Sequence, residues 1–105
     1  MRDAARKAID FSKGMYRESL DSDEKLALSL VRLIEIVGEA AKSIPDLLKL
    51  KYPHIPWKLI ARTRDRLIHG YFDVDLDVVW KIVTQDLPPL VDDLEELLLV
   101  EKDLC

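Results

Sequence analysis

Arg64 and His69 stand five positions apart in the stretch Arg64-Asp65-Arg66-Leu67-Ile68-His69-Gly70-Tyr71, with Tyr71 two residues further on. These residue types suit chemistry on a phosphodiester. A planar guanidinium can take up charge on phosphoryl oxygens. An imidazole can move a proton near neutral pH. A phenol hydroxyl is a handle for modification. A basic run leads in: residues 58–66 hold Lys58, Arg62, Arg64 and Arg66 against one acid, Asp65. Lys58, Arg62 and Arg66 are therefore candidates for contact with a polyanion.

Five residues correspond to about 140° of rotation on a straight helix, at roughly 100° per residue. Arg64 and His69 would then not share a face. Two arrangements could still bring them together. The helix could end near 68–70, so that His69 swings round. Alternatively, two subunits could share one site across a symmetric interface. Asp65 and His69, four apart, would face each other on a helix. Asp65 could then fix the tautomer of the imidazole and favour its protonated form. Continued helical geometry would return Tyr71 to the side of Arg64. The same spacing also fits helix-end residues in ordinary salt bridges.

Other polar residues are less telling. His54 lies between Pro53 and Pro56 and reads as a loop histidine. Glu35 and Glu39, one turn apart, read as a solvated face or as partners for arginine. Trp57 and Trp80 read as core. Two histidines and one terminal cysteine do not make a zinc site. The pattern implies neither metal nor cofactor.

The elements that must position this stretch are helical. Residues 2–14 predict a short helix with Ala5, Ala8 and Ile9 on one face and Gly14 as its C-cap. Residues 15–21 read as a connector. Ser22 is the expected N-cap of a helix running to about residue 43. Leu26, Leu30, Leu33, Ile34, Val37, Ala41 and Ile44 repeat there at helical spacing. Leu28, Val31 and Ile36 widen the stripe, so most of this helix should be covered, by its own bundle or by a second subunit. Gly38 would allow close helix approach. Pro45–Leu50 is a short helical piece, and Pro56 opens a third main helix carrying Trp57, Ile60, Ala61, Arg64 and Ile68 on one face. Residues 72–75 read as a connector. A last helix follows with Leu76, Val79, Val83, Leu87, Leu90, Leu94 and Leu97, kinked or divided at Pro88-Pro89. The expectation is an all-α, up-and-down bundle of four main helices plus a short one.

A chain of 105 residues is expected to form one domain, 1–105, large enough to need no disulfide or metal staple. Three glycines leave few tight turns, which argues against an all-β fold. The one cysteine, Cys105, cannot form an internal disulfide, so a reducing, cytoplasmic setting is expected. No run of 18 apolar residues and no signal-peptide pattern occurs, so no membrane partner is expected. The net charge of -4 counts against a surface that grips nucleic acid everywhere, but not against a local basic site on an acidic body.

The motif Arg64-x4-His69-x-Tyr71, set in "RTRDRLIHGYFDVDLDVVW", resembles the HEPN superfamily. More narrowly, it is similar to the HepT-like toxins of HepT/MntA toxin–antitoxin pairs. "LIEIVGEAAK" at 33–42, "KYPHIPWKLI" at 51–60 and "DLPPL" at 86–90 support the likeness, which covers nearly the whole chain. Family members often carry Asn after the motif arginine, where this chain has Asp65. The first helix is also somewhat short for the family.

The resemblance implies an HEPN-like fold and a metal-independent endoribonuclease of a type VII pair, acting as a homodimer. Arg64 and His69 of both subunits would line a shared cleft, with Asp65 in support. The RNA 2′-hydroxyl, in tRNA or mRNA, would be the nucleophile and a cyclic phosphate the product. Tyr71 matches the tyrosine that a minimal nucleotidyltransferase antitoxin modifies with AMP. The alternative is a helical module that binds such a nucleotidyltransferase, or a nucleotide, without catalysis. A third reading is a purely structural dimerisation bundle.

Overall fold

The computed structural model describes residues 1–69 and 73–101. The fold is all-α, relieved by one two-residue strand pair. Helix α1 (Arg2–Ser12) buries Ala5 and Ala8 completely, and these small side chains bring its backbone close to its neighbours. Gly14 reverses the chain at φ +75°, a conformation that favours glycine. The expected connector then contains a short helix, α2 (Ser19–Ser22), with Leu20 buried.

Helix α3 (Glu24–Lys42) is the axis of the molecule and packs against α1, α2 and the helices that carry the basic run. Its N-cap is Asp23, not Ser22. The Asp23 carboxylate accepts a 3.0 Å hydrogen bond from the Leu26 amide, while Ser22 belongs to the preceding turn. Leu30, Ile34, Val37 and Ala41 are fully buried. Leu28 and Ile36, which widened the apolar stripe in the sequence, face outward.

Helix α4 (Asp46–Lys51) follows Pro45, and Ile55 then anchors the proline-rich connector in the core. The third main helix is divided. Its first part, α5 (Trp57–Ala61), is preceded by Pro56, which is the N-cap rather than the first helical residue. The chain turns at Arg62 and resumes as α6 (Thr63–Leu67). The cause is local. The buried Thr63 hydroxyl donates to the Ile60 carbonyl at 2.7 Å, a bond that competes with the helical ladder. The break sits directly over Gly38. A Cβ there would lie 2.8 Å from Thr63 Oγ1 and 3.3 Å from the Ile60 carbonyl oxygen.

After Leu67 the chain becomes extended. Strand β1 (Ile68–His69) pairs antiparallel with β2 (Asp73–Val74), in register Ile68 to Val74 and His69 to Asp73. Part of the expected 72–75 connector is thus a strand. Helix α7 (Leu76–Lys81) continues into a π-helical turn, Ile82–Asp86, and then into α8 (Leu87–Val100). The expected discontinuity is present. Pro88 and Pro89 lie in the first turn of α8, where they offer no amide to the carbonyls of Thr84 and Gln85. The backbone responds one turn earlier, where the Leu87 amide reaches back five residues to the Ile82 carbonyl. Trp57 is core, as expected; Trp80 is only half-buried. No helix among the described residues is long and apolar enough to cross a membrane.

Candidate active site

The site is built where α6 ends. Leu67, fully buried, fixes that end in the core. The Arg64 main chain lies in α6 and the His69 main chain in β1, beyond the last helical residue. Of the two arrangements open to the sequence, the chain realises the first element of one: the helix stops short of His69. Consequently the four-residue helical relation between Asp65 and His69 is not formed. Asp65 stays on the exposed surface of α6. Only the main chain of Arg64 and His69 is described, and Tyr71 lies outside the described residues. The expected return of Tyr71 to the side of Arg64 therefore lies outside the described residues as well.

The flanking basic residues separate into two kinds. Lys58 and Arg62 are exposed, one helical turn apart, and neither has an ion-pair partner among the described residues. Arg66 is different: its Nη1 lies 3.2 Å from Asp86 Oδ2, and both side chains are about one-third exposed or less. This pair ties α6 to the π-helical turn. It stands at one end of a cavity of about 300 Å³ between α3, α5–α6 and α8, floored by Ile34, Val37, Ile60 and Ile82. At the other end His54 Nε2 lies 3.8 Å from Asp93 Oδ1, in keeping with a loop histidine. Glu35 and Glu39 pair with Arg32 and Lys42 on the outer side of α3.

The far side of the strand pair is held by Asp75, read in the sequence only as connector. Its amide donates to the Leu67 carbonyl at 2.7 Å. Its carboxylate accepts from the amides of Asp77 at 3.0 Å and Val78 at 3.2 Å and so caps α7. The signal was present: an aspartate before an apolar-periodic run, with a second acid two residues later. Arg17 then reaches across from the α1–α2 connector to Asp77, Nε to Oδ1, at 2.6 Å. Its Nη1 is buried and lies 3.2 Å from Asp21 Oδ2. The hydrogen bond to Asp77 raises the guanidinium pKa above its ordinary value, reinforced by Asp21. Among the described residues, no three His, Cys, Asp or Glu side chains converge as metal ligands.

Comparison with known proteins gives one consistent result. The model of the family described as Ribonuclease HepT-like matches residues 1–97. A Thermococcus cleftensis protein named a probable ribonuclease HepT is 43% identical over 84% of this chain and 80% of its own. A Methanocaldococcus jannaschii protein with a provisional RNase name is 38% identical over 86% of this chain and 74% of its own. A similarly named protein of Caldanaerobacter subterraneus is 38% identical over 90% of this chain and 84% of its own. No solved structure matches the chain.

Proposed function

This chain belongs to the HepT-like ribonuclease family, and on that premise we propose that it is a toxin endoribonuclease acting as a homodimer on RNA. The supporting observation is the family match spanning Arg64 and His69, joined to their main-chain placement on either side of the α6–β1 junction, Arg64 in the first turn of α6 and His69 as the last residue of β1. In this reading the whole chain, 1–105, is one HEPN-like cytoplasmic domain. Arg64 and His69 of both copies line one cleft.

The reaction is a transesterification that needs no metal. The RNA 2′-oxygen attacks the adjacent phosphorus and gives up its proton. The bond to the 5′-oxygen breaks, and that oxygen takes up a proton. The products are a 2′,3′-cyclic phosphate and a 5′-hydroxyl. His69 carries the proton. Arg64 holds the charge that grows on the phosphoryl oxygens. Asp65 supports the site electrostatically, and Lys58, Arg62 and Arg66 hold the RNA backbone.

Control comes from a minimal nucleotidyltransferase partner. The Tyr71 phenol oxygen attacks the α-phosphorus of ATP, pyrophosphate leaves, and the phenol proton passes to solvent. The AMP adds bulk and negative charge beside the motif and repels RNA phosphate. After incubation with the partner and ATP, Tyr71 carries one or more AMP units by mass spectrometry and RNA cleavage stops. An unmodified Tyr71 would remove the regulation and leave the nuclease.

The nuclease itself is tested by incubating the purified chain with tRNA and mRNA in EDTA and identifying the fragment ends. Fragments ending in cyclic phosphate are expected, and they disappear in both His69→Ala and Arg64→Ala at unchanged helical content. Intact RNA with the wild type would favour a module that binds its nucleotidyltransferase without catalysis.

A further inference from the structure

We propose that Asp75 is a positioning residue for His69: its cap on α7 sets where the strand carrying the histidine lies. The inference rests on the reading of His69 as the proton carrier. Asp75 is bonded in both directions along the chain. Backward, its amide meets the Leu67 carbonyl at 2.7 Å, which closes the strand pair at its base. Forward, one carboxylate oxygen meets the amides of Asp77 and Val78, and its carbonyl accepts the Val79 amide at 3.0 Å. A single residue thus joins the last turn of α6 to the first turn of α7.

Both joined points are rigid. Leu67 and Val79 are fully buried. Arg17 holds the first turn of α7 from outside through Asp77. Between these anchors, the register places His69 opposite Asp73, two residues before the cap. A pair of only two residues per strand cannot specify its own register. A slip of one residue would turn every side chain to the opposite face. The register is therefore set by where α7 begins, and that is decided by the side-chain oxygen at position 75.

Two readouts test this, steady-state cleavage and amide exchange, with His69 imidazole resonances as a third. In Asp75→Ala, kcat falls by about 10- to 100-fold with KM changed less than about twofold, the pattern of a misplaced rather than absent catalytic group. The amide at position 75 exchanges faster and the His69 imidazole resonances shift. Asp75→Asn keeps an acceptor oxygen and restores all three. Asp75→Glu keeps the charge on a longer side chain that caps poorly and does not.

A wild-type kcat in Asp75→Ala, whatever its melting temperature, overturns the proposal. So does rescue by Glu and not by Asn, which would assign the effect to charge. If Asp75→Ala does not fold, the contrast between Asn and Glu decides. If the wild type cuts no RNA, the nuclease reading fails separately. Amide exchange and the imidazole resonances then decide whether Asp75 positions His69, and unchanged values there overturn it.

Discussion

At the scale of single residues, Gly38 controls how closely α3 can approach the break between α5 and α6. Alanine there gains roughly 1 kcal/mol of helix propensity. Against this, its Cβ would press to 2.8 Å on the hydroxyl of a buried threonine and 3.3 Å on a carbonyl. Overpacking of this kind costs about 1–3 kcal/mol. Thr63 cannot give way cheaply, because its hydroxyl is bonded to that carbonyl. Gly38→Ala should therefore lower Tm by about 5 °C in a thermal melt, using roughly 4–8 °C per kcal/mol for a chain of this size. A raised Tm would mean that Thr63 rotates aside freely. The cations around the site are also unequal. Lys58 and Arg62 are exposed and have no ion-pair partner among the described residues, whereas Arg66 already faces Asp86. Each phosphate contact on single-stranded RNA contributes about 0.7 to the slope of log K against log salt. Lys58→Gln and Arg62→Gln should each reduce that slope by about this amount in a binding titration, and Arg66→Gln by less. Equal effects from all three would show that RNA displaces Asp86.

At the scale of elements, capping separates α3 from the turn before it. Asp23→Ala should cost about 1 kcal/mol, because the Leu26 amide loses its acceptor. Ser22→Ala should change little in the same denaturant titration, and the reverse order would place the cap at Ser22. The two residues illustrate what was legible in the sequence. The apolar repeats from Leu26 to Ala41 and from Leu76 to Leu97 located the long helices. Two adjacent cap-competent residues left the start of α3 uncertain by one position. The break at Arg62 was not legible, because a threonine in a helical pattern does not announce that its hydroxyl will compete for the Ile60 carbonyl, and the close seat over Gly38 joins segments far apart in sequence. The strands were not legible either: two residues are too few to show an alternating pattern. The prolines announced a discontinuity, but not that the backbone would answer with a π-helical turn upstream of them. For the site, the motif singled out Arg64 and His69 as candidates, while the helical arithmetic linking Asp65 to His69 failed because α6 stops at Leu67.

At the scale of the whole molecule, the nuclease reading depends on two copies completing one cleft, and mixing inactive variants tests that directly. Arg64→Ala lacks the guanidinium in both subunits of its dimer, and His69→Ala lacks the imidazole. A mixed dimer retains one of each, contributed by different chains. If the pair that cuts RNA spans the interface, mixing the variants after brief dissociation restores cleavage. Random reassortment makes about half of the dimers mixed, and each such dimer has one complete pair where the wild type has two. The regained activity should therefore be about one quarter of wild type in a cyclic-phosphate assay. It should also fall on dilution as dimers part, because a shared site exists only while both copies are present. Mixing that restores nothing, with mixed dimers demonstrated by mass spectrometry, would place Arg64 and His69 in one chain's own site. The shared-cleft form of the nuclease reading would then fail.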